Sequence, residues 1–132
     1  MANPGASRTR GEASQAISKA VNRLVREYTG RGPTQAHTTI SDHHVIVVLR
    51  DTLLKAERSL VEDGQSEPVI AMRRRFQGAM ERDLVAAVVE HTGREVEAFM
   101  SDNHINPDIA VEIFILMPRS DLDEPSSDGA GP

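Results

Sequence analysis

A short motif occurs twice in the chain, and this repetition constrains the fold more than any other feature. Thr-Gly-Arg at residues 29–31 precedes a strand-like segment and Ser-Asp-His-His at 41–44, and Thr-Gly-Arg at 92–94 likewise precedes Ser-Asp-Asn-His at 101–104. Each half therefore predicts a helix followed by two strands. Two pseudo-repeated α-β-β units of this kind predict an α+β fold: one four-stranded antiparallel sheet made of two hairpins, with helices packed on one face.

Hydrophobic periodicity supplies the elements of this fold. Thr9 and Glu12 fit a capping box, and apolar residues at the helical period follow as far as Gly30. The apolar run at 45–49 indicates a strand in the centre of the sheet. We expect helices at 9–30, at about 52–63 with Asp51 or Thr52 as its cap, and at about 66–92, and strands near 36–41, 44–50, 95–101 and 109–117.

The two ends of the chain lack apolar periodicity. Residues 1–8 and 118–132 are rich in Pro, Gly, Ser, Ala and Asp, so we predict disordered tails, the second one acidic, around a single domain at 9–117. The start of the chain has no apolar segment typical of a secretory signal, and the longest apolar run covers only 45–49, so we expect no direct membrane insertion. The chain contains no cysteine, which excludes disulfides and suits the cytoplasm, where we expect the protein.

Charge limits the classes of partner. Fifteen Lys and Arg against twenty Asp and Glu give a net charge of −5. No segment has the basic balance that binding to a phosphate backbone requires, so we expect no nucleic-acid partner. Arginine is far commoner than lysine, and we interpret this as the codon bias of a GC-rich bacterial genome.

Composition predicts an aliphatic core and a second apolar surface. Aromatic residues make up only 3% of the chain, so Val, Ile, Leu, Met and Ala must supply the core. The alternation in the last strand puts a row of Ile and Val on one face of the sheet, opposite Phe99, Phe114 and Leu116. We predict that these three residues form the interface of a homodimer, with coverage by the short helix as the alternative.

Residues that could carry chemistry are few. Nothing in the chain combines a nucleophile with a base. The Gly-Arg-Gly-Pro turn at 30–33 superficially resembles a phosphate-binding loop, but no helix N-terminus follows it and Pro33 has no amide to donate, so we interpret it as a helix cap and turn, with an anion cradle as the lesser alternative. We therefore expect no enzyme and no cofactor. The Asp and His residues at the hairpin tips are typical of turns, and we interpret them so; a metal site is the lesser alternative. These residues are Asp42, His43, His44, Asp102, His104 and Asp108.

The Gly-Arg-Gly-Pro turn at 30–33 combines structural and candidate binding residues. Gly30 is expected to end a helix in the left-handed conformation, as is Gly93 in the second repeat. Pro33 completes the turn, and Gly32 is expected to tolerate a larger residue because proline restricts it to extended geometry. Arg31 has no comparable backbone reason to be arginine.

Arg31 is therefore a candidate binding residue. With Arg50 and Arg75 it forms the set that we consider for a small anion. Glu57 completes the set, because we expect it to pair with Arg75. The remaining arginines of the run at 73–75 are interpreted as a solvated helix face.

Five motifs along the chain form a recognisable pattern. They are the turn at 30–33, the pattern Val45-Ile46-Val47-Val48-Leu49 with Leu53, Glu57 and Leu60, Arg74-Arg75-Phe76, Thr92-Gly93 with Val96, and Ile113-Phe114-Ile115-Leu116. With these motifs the chain resembles, over about residues 12–117, the MpsC-like family, which is named for a sodium-translocating, membrane-potential-generating system. The chain has Asp51 and Leu54 where the family pattern usually has Gly and Thr, which places in doubt any ligand role for that loop.

The resemblance implies a small protein associated with cation or inorganic-carbon uptake systems, without established catalytic residues. We therefore predict a non-enzymatic accessory or regulatory protein, dimeric, with a membrane protein as a possible partner. The alternative is a sensor domain that binds a small anion such as bicarbonate through the arginines near the turn.

Overall fold

The computed structural model describes residues 9–119 and confirms the predicted α+β class. Of the predicted tails at 1–8 and 118–132, residues 1–8 and 120–132 lie outside the described residues. The elements, in chain order, are α1 (Arg10–Thr29), β1 (Gln35–Ile40), β2 (His44–Arg50), α2 (Lys55–Glu62), α3 (Ser66–Thr92), β3 (Val96–His104) and β4 (Ile109–Leu116).

The ends of α1 follow the sequence pattern. The Thr9 hydroxyl accepts the Glu12 amide at 3.0 Å, and the Glu12 carboxylate accepts the Thr9 amide at 3.0 Å, so the predicted capping box is formed. Gly30 ends the helix with φ 90° and donates its amide to the Arg26 carbonyl. Gly93 ends α3 in the same left-handed conformation, with φ 71°.

The four strands form one antiparallel sheet in the order β1-β2-β4-β3. Two hairpins are thus joined through their second strands, which lie in the centre of the sheet. Helices α1 and α3 pack against one face, and α2 packs against α3. The core lies between this face and the helices, and its largest fully buried side chains include Phe114, Ile17, Leu49 and Leu84.

The prediction of which sheet face is uncovered was wrong. Phe114 is 0% exposed and Leu116 is 4% exposed, both in the core beneath the helices. Phe99 packs against the same core, with its ring 5.2 Å from that of Phe114. Alternation along a strand shows which residues share a face, but only the helix packing decides which face is covered. These three residues therefore lie inside the subunit.

The start of α2 also differs from the prediction. The helix begins at Lys55, and its cap residue is Leu54, whose amide is accepted by Glu57 Oε1 at 2.7 Å. Asp51 adopts φ 59° and leaves the strand in a tight turn instead of capping the helix. Thr52 is buried, and its hydroxyl donates to Asp108 Oδ1 at 3.2 Å.

The two Thr-Gly-Arg motifs have matching local geometry. Each threonine hydroxyl donates to the carbonyl four residues earlier and accepts the amide of the following arginine. Each arginine then reaches a carbonyl just beyond the second strand of its hairpin: Arg31 reaches Asp51, and Arg94 reaches Met117. This likeness is what a duplication of the α-β-β unit predicts, although the duplication itself stays a prediction.

Candidate functional site

A buried ion pair lies where α2, α3 and the 51–54 loop meet. The guanidinium of Arg73 binds both carboxylate oxygens of Glu57, at 3.0 Å from Nη2 to Oε1 and at 3.3 Å from Nε to Oε2. The side chain of Glu57 is 3% exposed and that of Arg73 is 12% exposed. A bidentate pair of this kind satisfies two charges that would be costly to bury separately.

Two amide side chains extend this pair toward β3. Arg73 Nη1 donates to Thr52 Oγ1 at 2.8 Å and to Asn103 Oδ1 at 3.1 Å. Asn103 and Gln77 exchange two hydrogen bonds of 3.2 Å through their amide groups. The result is a buried polar cluster that links the loop, two helices and an edge strand, made of Thr52, Glu57, Arg73, Gln77, Asn103 and the neighbouring Glu112.

Glu112 is the carboxyl group of this cluster that has no ion-pair partner of its own. It projects from the centre of the sheet, in register with Val47 on β2 and Ser101 on β3, and it is 2% exposed. Burial raises the pKa of Glu112 to about 7, against the lowering effects of the adjacent Ser101 hydroxyl and the Arg73 guanidinium. Although Ser101 lies close, its Oγ and Glu112 Oε1 are both buried without a hydrogen bond of normal geometry.

A cavity of about 30 Å³ adjoins the cluster. This volume is enough for one or two water molecules, and a polar wall is what buried water requires. Thr52, Glu57, Arg73, Gln77 and Glu112 form the polar wall, while residues such as Leu49 and Met80 form the apolar one. The arrangement can therefore bind or release a proton at Glu112 near neutral pH.

The opposite side of the sheet, which we call the open face, is aliphatic. Its central side chains come from β2 and β4 and are half-buried. At the β3 edge Met100 is 49% exposed. The central residues are Ile46, Val48, Ile109, Val111, Ile113 and Ile115.

A comparison with family models identifies the chain. The family described as "Na+-translocating membrane potential-generating system (MpsC)" matches residues 9–117. The chain belongs to the MpsC family. No curated protein and no solved structure matches the chain. The family model thus covers the whole sheet, all three helices and both the polar cluster and the open face.

Two features of this MpsC chain concern metal ions and membranes. In the part of the chain that the structure describes, no group of three or more His, Asp or Glu residues is arranged to hold a metal ion. In the same residues, no helix has the length and apolar character needed to cross a bilayer. His104 instead contacts the Pro107 carbonyl through Nδ1 at 2.8 Å, within its own turn.

The structure does not bring the predicted binding residues together as one group. Arg31 Nη1 donates to the Asp51 and Leu53 carbonyls, each at 2.9 Å, so its guanidinium holds the loop. Arg50 is exposed at the end of β2, and Arg75 is exposed on α3. Glu57 was expected to pair with Arg75, but in the structure it pairs with Arg73.

Sequence reasoning missed the cluster because its members come from five separate segments: the 51–54 loop, α2, α3, β3 and β4. Arg73 was expected on a solvated face, Thr52 as a possible helix cap and Asn103 only as part of the repeated turn motif, while Gln77 and Glu112 carried no expectation. One signal was available for Glu112: it occupies the register of Ala110 and Phe114 in an alternating strand, and a glutamate at a core position requires an explanation.

Proposed function

We propose that this MpsC-family chain is a non-enzymatic accessory or regulatory protein of a membrane ion- or inorganic-carbon-transport system, and that it works as a cytoplasmic homodimer. The observation that carries the proposal is the open face. Aliphatic side chains cover the centre of a sheet whose helices pack on the other side, and a continuous apolar surface of this kind favours protein–protein contact.

The polar cluster supports an accessory role because its groups bind one another. Arg73 directs its donors to Glu57, Thr52 and Asn103, which belong to α2, the 51–54 loop and β3. Such a network holds elements in place and is costly to break. We therefore assign the cluster to the scaffold, with Glu112 as its titrating member.

The family description supports the choice of partner. It names a system that translocates Na+ and generates a membrane potential, and we propose that an integral membrane protein of such a system binds the dimer. The homodimer forms through the open face, so the transport protein contacts the outer, polar surfaces. Loss of the dimer then removes the composite surface that the partner recognises.

Affinity purification from detergent-solubilised membranes tests this function. The full chain, tagged, should retain an integral ion-transport protein that mass spectrometry identifies. Ile113→Asp places a charge in the centre of the open face and should abolish this retention. Gln15→Asp changes an exposed position of α1 and should leave it unchanged.

Two results would contradict the proposal. One is the absence of any ion-transport protein among those retained by the wild type. The other is a rise in the melting temperature with millimolar bicarbonate that is lost in Arg50→Ala and Arg75→Ala. Ligand binding to the native state raises its stability, so this second result would instead support the small-anion sensor.

A further inference from the structure

We propose that two copies of the chain stack open face against open face about a two-fold axis that runs parallel to the strands, so that His37 of each subunit meets Asp102 of the other. This inference rests on the proposed function, which supplies the homodimer. It adds the orientation of the subunits and the polar contacts that select it.

The registers of the sheet supply the first step. Residues paired across the four strands form rows on the open face, and one row reads His37, Val48, Val111, Asp102. An imidazole thus lies at the β1 edge, a carboxylate lies at the β3 edge, and two aliphatic side chains separate them. Both edge residues are exposed.

Symmetry supplies the second step. In a two-fold dimer, if residue i of one subunit contacts residue j of the other, then j also contacts i. An axis parallel to the strands, midway between β2 and β4, places β1 over β3 of the partner and β2 over β4 of the partner. Each row then lies over itself in reverse, and His37 lies opposite Asp102 of the partner subunit twice in the dimer.

The distance between stacked sheets suits this contact. Packed sheets lie about 10 Å apart, which an imidazole, a carboxylate and one hydrogen bond span together. An imidazole N–H donates to a carboxylate in either charge state of the histidine. In the centre of the row Val48 lies over Val111 of the partner, so aliphatic surface meets aliphatic surface.

The other face-to-face arrangement is less complementary. An axis across the strands, at the middle of the face, stacks each strand on its own copy with reversed direction. Arg50 at one end of β2 then approaches His44 of the partner at the other end, and His37 lies opposite Thr39 of the partner. Two basic groups meet, and the carboxylate of Asp102 gains no base. Charge therefore favours the axis parallel to the strands.

A charge swap in the full chain tests the contact. His37→Asp places two carboxylates together at both ends of the row, and Asp102→His places two imidazoles together. Each single change should weaken the dimer about tenfold in sedimentation equilibrium. The double variant His37→Asp/Asp102→His rebuilds both pairs in exchanged positions and should return to the dissociation constant of the wild type. Glu97→His, an exposed change on the same edge strand, is the matched control.

Cross-linking tests the orientation independently, and the absence of native cysteine makes it specific. A short bismaleimide should join chains in an equimolar mixture of His37→Cys and Asp102→Cys, and should join neither variant when it is alone. Cross-linking of His37→Cys with itself would place β1 over β1 and overturn the inference.

The outcomes separate this inference from the proposed function. If Ile113→Asp dissociates the dimer while the single changes at 37 and 102 leave it intact, the homodimer through the open face stands and the orientation proposed here is wrong. If the wild type itself sediments as a monomer, both proposals fail. The orientation is supported if the double variant regains the wild-type dissociation constant and if cross-links form only in the mixture of the two cysteine variants.

Discussion

At the scale of single residues, Glu112 is the group whose chemistry the fold changes most. Its pKa rises from the ordinary 4.5 to about 7 because burial disfavours the carboxylate. A group with a raised folded-state pKa contributes its full stability below the unfolded value, and this contribution is lost as the pH rises through the folded value. The loss therefore occurs between about pH 4.5 and pH 7 and amounts to about 3 kcal/mol.

We predict that Glu112→Gln stabilises the protein at high pH and not at low pH. The substitution keeps the size of the side chain and removes the charge, so the free energy of unfolding at pH 8 should rise by about 2–3 kcal/mol and that at pH 4.5 should change little. Urea unfolding over this pH range measures the difference. Glu90→Gln, an exposed change on α3, is the control. Equal pH dependence in wild type and Glu112→Gln would refute the assignment.

At the scale of elements, the side chain of one arginine connects the end of α1 to the loop before α2. Arg31 is a candidate binding residue in the sequence, and in the structure its guanidinium donates to two carbonyls of the 51–54 loop. The neighbouring glycine also differs from expectation. A Cβ on Gly32 would lie 2.4 Å from Asn22 Oδ1, so a larger residue requires the asparagine to move.

We predict that Arg31→Ala destabilises the protein by about 2 kcal/mol, because two hydrogen bonds from a charged donor are lost. Gly30→Val should cost at least as much, since φ 90° disfavours a branched residue. Hydrogen exchange distinguishes the two: in Arg31→Ala the amides of the 51–54 loop should exchange faster than those at the end of α1. Arg50→Ala, which changes an exposed arginine, should leave both segments unaffected. Wild-type stability in Arg31→Ala would return this residue to the candidate binding group.

At the scale of the whole molecule, the open face predicts self-association. Light scattering at micromolar concentration should give twice the chain mass of 14.4 kDa, because burial of the aliphatic side chains offsets the entropy lost in pairing. Ile113→Asp should give the monomer mass with an unchanged circular dichroism spectrum. Phe114→Asp should instead unfold the chain, since Phe114 lies in the core. A wild-type monomer would disprove the dimer.

Local signals in the sequence determined the elements and their order. The capping box at Thr9, the glycines that end α1 and α3, and the alternation in β2 and β4 depend on neighbours within a few residues, so their physics is readable from the chain alone. The repeated motif further predicted that two hairpins form one four-stranded antiparallel sheet, and the observed strand order β1-β2-β4-β3 agrees with that prediction.

Only the tertiary structure decided which side of the sheet is covered and which charges are buried. A period of two assigns Phe114 and Ile113 to opposite faces, but the choice between core and open face depends on where α1 and α3 pack. Similarly, Arg73 lies beside Arg74 and Arg75 in the sequence, yet of the three it alone is partly buried. Its side chain contacts Glu57 and Asn103, which are far from it along the chain, so only the tertiary structure shows that it is buried. Glu112 acquires its raised pKa in the same way, from the removal of water by elements that the strand itself does not contain.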